Sequence, residues 1–363
     1  MTIKPGAIRF NTDSMKLEIF RGSANYNGSA SMAGIGTLAA GQWEEIQATS
    51  PDVQTGGTRG LVGGGYVTPS PGKRNDIDYF NIDSTGNSID FGTLSESRYW
   101  ISSHASRTRG VWGGGGIHPG SPNKSDTIDY VTIASTGNAT DFGNLTAARY
   151  GIASCSNQTR GIFGGGYAVP AGASSTLDTI DYITIASEGT HAQDFGNLSV
   201  AGYYFSACAS PTRGVFLQRR SGHGGSGYTY HNTIDYVTIS TQGNAADFGD
   251  LDVTAASGAA TSNSIRGIVA GTENGTTNLI QYITISTLGN AQDFGDLITA
   301  GLFAPAAAAS PVRAVIAGGY ISPTQVTDMQ YVQIMSTGNA VDFGDLTTAI
   351  YSLGGCSNGH GGL

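Results

Sequence analysis

Residues Thr127 to Gly166 read T-I-D-Y-V-T-I-A-S-T-G-N-A-T-D-F-G-N-L-T-A-A-R-Y-G-I-A-S-C-S-N-Q-T-R-G-I-F-G-G-G. Nearly every feature of this stretch recurs along the 363-residue chain at steps of roughly 50 residues, a period that signals a repeat architecture. The step Asp-Phe-Gly begins at Asp90, Asp141, Asp194, Asp247, Asp293 and Asp342. An arginine opens a short apolar run at Arg59, Arg109, Arg160, Arg213, Arg266 and Arg313. A residue that recurs this way does one job many times, so the array has to be understood before any residue in it is treated as a site.

Each repeat splits into four strand-like pieces. The first is the apolar run after the arginine, ending in glycines (Leu61 to Gly65, Val111 to Gly115, Ile162 to Gly166). The second is T-I-D-Y-V-T-I and its copies, Ile77 to Ile82, Ile128 to Ile133, Ile180 to Ile185, Ile234 to Ile239, Ile280 to Ile285 and Met329 to Ile334. Its period-two alternation and β-branched content predict a strand. A tight turn, Ser135 to Asn138 in this copy, leads into the short D-F-G-x-L strand, its glycine supplying the positive φ that such a turn needs. Last comes R-Y-x-x-x-x-C/H-S, as in Arg149 to Ser156.

Four strands per repeat with no helical periodicity predict the blade of a β-propeller. The first blade starts at Arg59 without its innermost strand, and Tyr351 to Asn358 is a further copy of Tyr150 to Asn157. That C-terminal piece is expected to return and complete blade one, leaving no open sheet edge. The expected fold is all-β: a six-bladed propeller of four-stranded blades over residues 59–363, after a small β-module at 1–50 and a linker at 51–58. In the module, Ala7 to Phe10 and Lys16 to Phe20 alternate apolar and polar around a turn-rich Asn11 to Ser14, which predicts a hairpin.

Charged residues make up 12% of the chain, about half the usual globular share of roughly 25%. The 55 glycines sit at fixed places in the repeats, which marks turn chemistry and not collagen or disorder. A net charge of −9 argues against nucleic-acid binding, which asks for a basic footprint. Neither a secretory leader nor a membrane span is expected, because Met1 to Gly6 opens no apolar segment and no run of about 18 apolar residues occurs. Cys155, Cys208 and Cys356 hold equivalent places in their repeats, where other copies have His104, Thr261 and Ala308. Their spacing fits no metal site, and they are expected as small buried side chains.

The order Arg98, His104, Trp112-Gly113-Gly114, Tyr130 and Phe142-Gly143-Asn144-Leu145 resembles the kelch repeat, over residues 59–357. The N-terminal pattern G-A-I-R-F-N-T-D-S-M-K-L-E-I-F with the later W-E-E-I resembles the short β-module of tailed-phage fibre and appendage proteins. That second resemblance implies a virion protein, docked to other virion proteins through Ile8, Phe10, Leu17, Ile19 and Trp43, with the module attaching the chain to the particle or helping it form a homotrimer. A plain hairpin capping the repeat domain is the simpler reading of those 45 or so residues.

No catalytic, cofactor or metal residue is assigned. The Asp-Phe-Gly aspartates are expected to accept backbone N–H bonds, with Phe packed between blades. The same structural role is expected for Asp78, Asp129, Asp181 and Asp235, which Gln281 and Gln330 replace in two copies. The ring of arginines is expected to bond to backbone or to those carboxylates. The glycine runs lack the Lys-Ser/Thr and helix of a phosphate loop, and no G-x-S-x-G elbow occurs.

What varies is the connection between the first two strands: Tyr66 to Asn75, Ile117 to Ser125, Tyr167 to Leu177, Leu217 to His231, Thr272 to Thr277 and Tyr320 to Val326. In an up-and-down blade these loops emerge on one face, and function sits on loops held by a rigid scaffold. The longest combines cations with aromatics, and Arg219, Arg220, His223, Tyr228, Tyr230 and His231 are its candidate binding residues for a sugar or an acidic surface. A solvated glycine-rich loop is the plainer reading. The expected function is a phage tail-fibre or appendage protein binding a host surface glycan or protein. The alternatives are a decoration protein touching only other virion proteins, a cellular kelch-like scaffold, and a polysaccharide-cleaving propeller.

Overall fold

The computed structural model describes residues 58–69, 72–117, 123–168, 175–222, 227–273 and 277–359, together with three N-terminal strands. The chain divides into two units, Met1–Gly56 and Gly57–Leu363. In the first, the expected hairpin forms from Ile8–Asn11 and Lys16–Arg21, with Ile8 opposite Ile19 and Phe10 opposite Leu17. A third strand, Gln42–Glu45, pairs antiparallel with Lys16–Arg21 and sets Trp43 opposite Phe20.

The second unit is a six-bladed β-propeller. Blade two runs outward from Ser102–Ala105 through Arg109–Gly113 and Thr127–Thr132 to Thr140–Asn144, all antiparallel. Blades three to six repeat this order from innermost strands Ala153–Ser156, Ser206–Ala209, Ala259–Ser262 and Ala306–Ala309. Blades three and four carry one extra short strand each, Tyr167–Ala168 and Arg219–Ser221. Blade one is closed as expected: Gly354–Ser357 pairs with Arg59–Gly63, setting Cys356 opposite Leu61.

The Asp-Phe-Gly step explains how one blade grips the next. Register slips there in all six blades, as between Asp141 and Gly143, so that Phe leaves the ladder in a bulge. Its ring is then buried between blades, at most 3% exposed in every copy. Its carbonyl turns outward and accepts an N–H from the glycine of the next blade's turn. Gly137 donates to Phe91 and Gly189 to Phe142, and the sixth blade closes the ring with Gly86 donating to Phe343. The aspartate's expected role is seen at Asp141 and Asp293, whose Oδ1 accepts the N–H of Gly143 and Gly295 at 3.1 Å. The glycine itself is needed for close approach: a Cβ on Gly143 would lie 2.5 Å from the Thr190 carbonyl oxygen.

The arginine ring bonds to backbone. Each Nη1 donates to an isoleucine carbonyl one blade on, from Arg59 to Ile133 (2.7 Å) round to Arg313 and Ile82 (2.9 Å). Each guanidinium also lies 4.1–4.9 Å over the tyrosine ring of its own blade's third strand.

The I-D-Y aspartates accept from the residue after each D-F-G-x-L of the preceding blade, such as Ser95 to Asp129 and Thr146 to Asp181. Three of them are also paired with a guanidinium, Arg98 to Asp129, Arg149 to Asp181 and Arg219 to Asp235, at 2.5–3.0 Å with both side chains fully buried. Where Gln281 and Gln330 stand instead, their Oε1 accepts the same backbone N–H at 2.8 Å.

Candidate functional site

Inside the ring the innermost strands are short and built of Ser, Ala, Gly, Cys and Thr, with His104 the one ring side chain. Small residues leave a central channel. One end widens into a funnel of about 620 Å³, open mouth included. Its rim is made by one residue per blade, two positions before the innermost strand begins: Trp100, Gly151, Tyr204, Ser257, Ala304 and Ser352, all with φ between 52° and 65°. Each donates its N–H to the carbonyl of the preceding blade's rim residue, at 2.6–3.0 Å, and Trp100 donates to Ser352 to close the circle.

The variable connections surround this mouth. Residues at or near their starts bridge to the residues just before the rim: Tyr66 to Tyr351, Gly116 to Tyr99, Tyr167 to Tyr150, Arg220 to Tyr203 and Tyr320 to Phe303. The mouth is therefore lined with rings, and it is not symmetric. Over blades two to four, Trp100 and Tyr204 lie 3.9 Å apart, centroid to centroid, above Gly151. A Cβ on Gly151 would meet the Tyr204 ring at 2.7 Å, so only glycine fits beneath it. Over blades five, six and one the rim is Ser257, Ala304 and Ser352, with Phe303 edge-on to Trp100 at 5.3 Å. The Ser352 hydroxyl is buried without a partner in the funnel wall.

The loop residues singled out in the sequence separate into two groups. Arg219 is no surface contact: it is fully buried and paired with Asp235. Blades two and three receive this guanidinium from Arg98 and Arg149, two residues before the rim, but Gly202 occupies that place ahead of blade four. The Arg219 side chain fills the vacancy, its Cδ 3.3 Å from where a Gly202 Cβ would sit. His231 faces Arg219 across the strand pair, and its Nε2 shares a 2.8 Å hydrogen bond with the Ser221 hydroxyl. Burial and the neighbouring Arg219 charge push its pKa down.

Arg220, Tyr228 and Tyr230 do reach the mouth. The Arg220 guanidinium lies 4.8, 4.5 and 4.0 Å from the rings of Tyr203, Tyr204 and Tyr228, and it pairs with Glu273. Tyr230 sits opposite Arg220 in the strand register and packs on the Tyr167, Tyr203 and Tyr204 cluster. Tyr228 is 46% exposed and forms the outer edge of the site. His223 lies outside the described residues. Burial pushes the Tyr204 hydroxyl pKa well up, and it pushes the Glu273 carboxyl up against the pull of Arg220.

Sequence reasoning passed over Trp100, Ser257, Phe303, Ala304 and Ser352. Apart from Phe303, which holds the tyrosine's place, their signal was the x after R-Y, where the six repeats carry Trp, Gly, Tyr, Ser, Ala and Ser. Among the described residues, no group of three or more His, Cys, Asp or Glu is placed to hold a metal ion. No family model and no curated protein matches the chain.

Proposed function

We propose that this chain is a structural protein of a tailed-phage particle, a kelch-like fibre or appendage protein that binds a host surface through the loop-bearing face of its propeller and does no catalysis. The observation that carries the binding role is the channel mouth, where the repeat breaks and rings, hydroxyls and one ion pair gather on a scaffold held rigid by six equivalent interfaces. The repeated arginines, phenylalanines and I-D-Y aspartates are spent on contacts between blades, so the reading places recognition at the mouth, where the repeat breaks. The virion assignment rests on the N-terminal pattern around Ile8, Phe10, Leu17, Ile19 and Trp43 and on the kelch-like order of Arg98, His104 and Trp112. In this reading the module docks to other virion proteins, as a homotrimer or singly.

Immunogold labelling of purified particles with an antibody against the full chain tests the location, and binding of the labelled full chain to a panel of bacteria tests the adhesion. Label on the particle and saturable cell binding are expected. Deleting residues 1–50 should abolish incorporation while leaving cell binding intact. Unlabelled particles would sink the virion reading, and absence of cell binding would sink the adhesion reading.

A further inference from the structure

We propose that the funnel at the channel mouth is a saccharide subsite taking one ring of a neutral sugar, with Trp100 as its apolar wall and the Ser257 and Ser352 edge as its polar side. The proposal deepens the adhesion reading above and rests on it.

The first argument is a contrast between two sets of left-handed residues. After the second strand of each blade the chain turns through Gly64, Gly114, Gly165, Gln218, Gly271 and Gly318, all at φ between 45° and 80°. Five of these six are glycine, as steric cost demands. The exception, Gln218, is held by two side-chain hydrogen bonds to blade five, to Gly271 O (2.9 Å) and from Gly258 N (2.8 Å). At the mouth the backbone is equally left-handed, yet five of the six residues carry a side chain and only Gly151 does not. Strain retained at a position where glycine would relieve it points to a use for the side chain.

The second argument is chemical. The funnel lining holds no ionisable side chain apart from the Tyr204 phenol; it is Trp100, Tyr204, Phe205, serines, alanines, glycines and short aliphatics. A charged ligand group would find no counter-ion there and would bear an uncompensated desolvation cost. The charges nearby, Arg220 and Glu273, pair on the rim, and Glu273 also accepts the Ser257 hydroxyl at 3.2 Å, which leaves the Ser257 oxygen as an acceptor. A neutral pyranose has what the lining asks for. Its C–H face carries partial positive charge that suits the negative face of an aromatic ring. Its hydroxyls can take up the buried Ser352 Oγ, which has no partner, and repay a polar group otherwise left unsatisfied.

The third argument is the asymmetry. The half of the rim with large side chains is closed over Gly151 by the Trp100–Tyr204 stack, and the half with Ser257, Ala304 and Ser352 carries only small side chains. A site for one sugar ring needs one wall and one opening, whereas six equivalent rim residues would make only a symmetric pore.

The test applies the full chain to an array of neutral and acidic oligosaccharides, followed by calorimetric titration of the strongest binder. Two variants accompany it, Trp100→Ala, which removes a wall, and Ser352→Tyr, which plugs the opening. The plug uses a backbone position at which Trp100 and Tyr204 already place aromatic side chains in the equivalent blades, and the Tm of both variants is measured so that a loss of fold is told apart from a loss of binding. Expected are saturable binding of a neutral oligosaccharide and affinity roughly tenfold or more weaker in both variants, as for loss of an aromatic anchor. Cell binding that persists unchanged in Ser352→Tyr, or array binding confined to acidic sugars, overturns the neutral-sugar subsite while the adhesion reading stands. Protease-sensitive cell binding with no glycan bound overturns it in favour of a protein partner. A full chain that binds neither cells nor glycans overturns both readings.

Discussion

Replacing Arg219 with leucine should be among the most damaging single changes in the propeller, although the residue lies in the most variable connection. Arg219 and Asp235 are both fully buried, 3.0 Å apart. Removing one partner of such a pair strands the other charge, at a cost of about 3–5 kcal/mol. Asp235 keeps the Ser199 N–H at 3.1 Å and the Ser199 hydroxyl at 2.6 Å, which places the cost toward the lower end. At about 2 °C per kcal/mol for a domain of this size, Tm should fall by roughly 6 °C or more. The compensating change is already present elsewhere in the ring. Gln281 and Gln330 occupy the aspartate's place in blades five and six and accept the same N–H at 2.8 Å, with Ala255 and Leu302 standing where Arg98 and Arg149 do. Arg219→Leu combined with Asp235→Gln should therefore recover most of the loss, giving a coupling of about 2 kcal/mol or more in a double-mutant cycle read by reversible urea titration or by Tm. A single Arg219→Leu variant within about 1 kcal/mol of the parent, or a double variant no better than the single, would refute the reasoning, because the pair would then not be what holds that carboxylate.

Two other outcomes follow from blade contacts. Gly143→Ala should cost about 2 kcal/mol more than Gly137→Ala, in the range of overpacking. The two glycines have similar φ, 145° and 156°, but a Cβ on Gly143 meets the next blade's backbone and one on Gly137 meets nothing within 4 Å. Equal losses of Tm would show that the blade interface yields at that point. Cys155, Cys208 and Cys356 should be inert to a thiol reagent at pH 8 in the folded chain and all reactive in denaturant. Burial pushes the Cys155 and Cys356 thiols up to about 12 and raises Cys208 as well, so the nucleophilic thiolate is scarce as long as the fold persists. Stoichiometric reaction within seconds under native conditions would contradict that burial.

Much of the scaffold was legible because repetition multiplies a weak signal. One D-F-G tripeptide suggests catalysis as readily as packing, but six at near-regular spacing specify one bulge and one buried ring per blade. Closure was legible too, since Tyr351 to Asn358 copies an innermost segment that blade one lacks. The site was harder to see for a physical reason. Arg219 and Arg220 are adjacent in a cation-rich loop, yet a strand sends successive side chains to opposite sides. One enters the blade toward Asp235 and the other lies over tyrosines at the mouth. Deciding which required knowing that Gly202 lacks the guanidinium that Arg98 and Arg149 supply elsewhere. Trp100 and Tyr204 were unreadable as partners because 104 positions separate two residues whose rings are 3.9 Å apart.

The closing strand links stability to the mouth. Gly354–Ser357 seals blade one, and Ser352, two residues earlier, completes the hydrogen-bonded rim by accepting from Trp100 and donating to Ala304. Tyr351 beside it bridges to Tyr66 and packs against Tyr320. The same short segment therefore shuts the sheet edge, fixes the last rim residue and joins the aromatic wall of the first blade to that of the sixth. A repeat protein is held by contacts between neighbours, and an open array of these blades would keep five interfaces and most of its buried surface. It would have no circular rim and no funnel. Ring closure is thus what turns six near-identical sheets into a scaffold with a single distinct site, and the side chains placed on that rim can differ from blade to blade because the backbone circle, and not their identity, holds them in place.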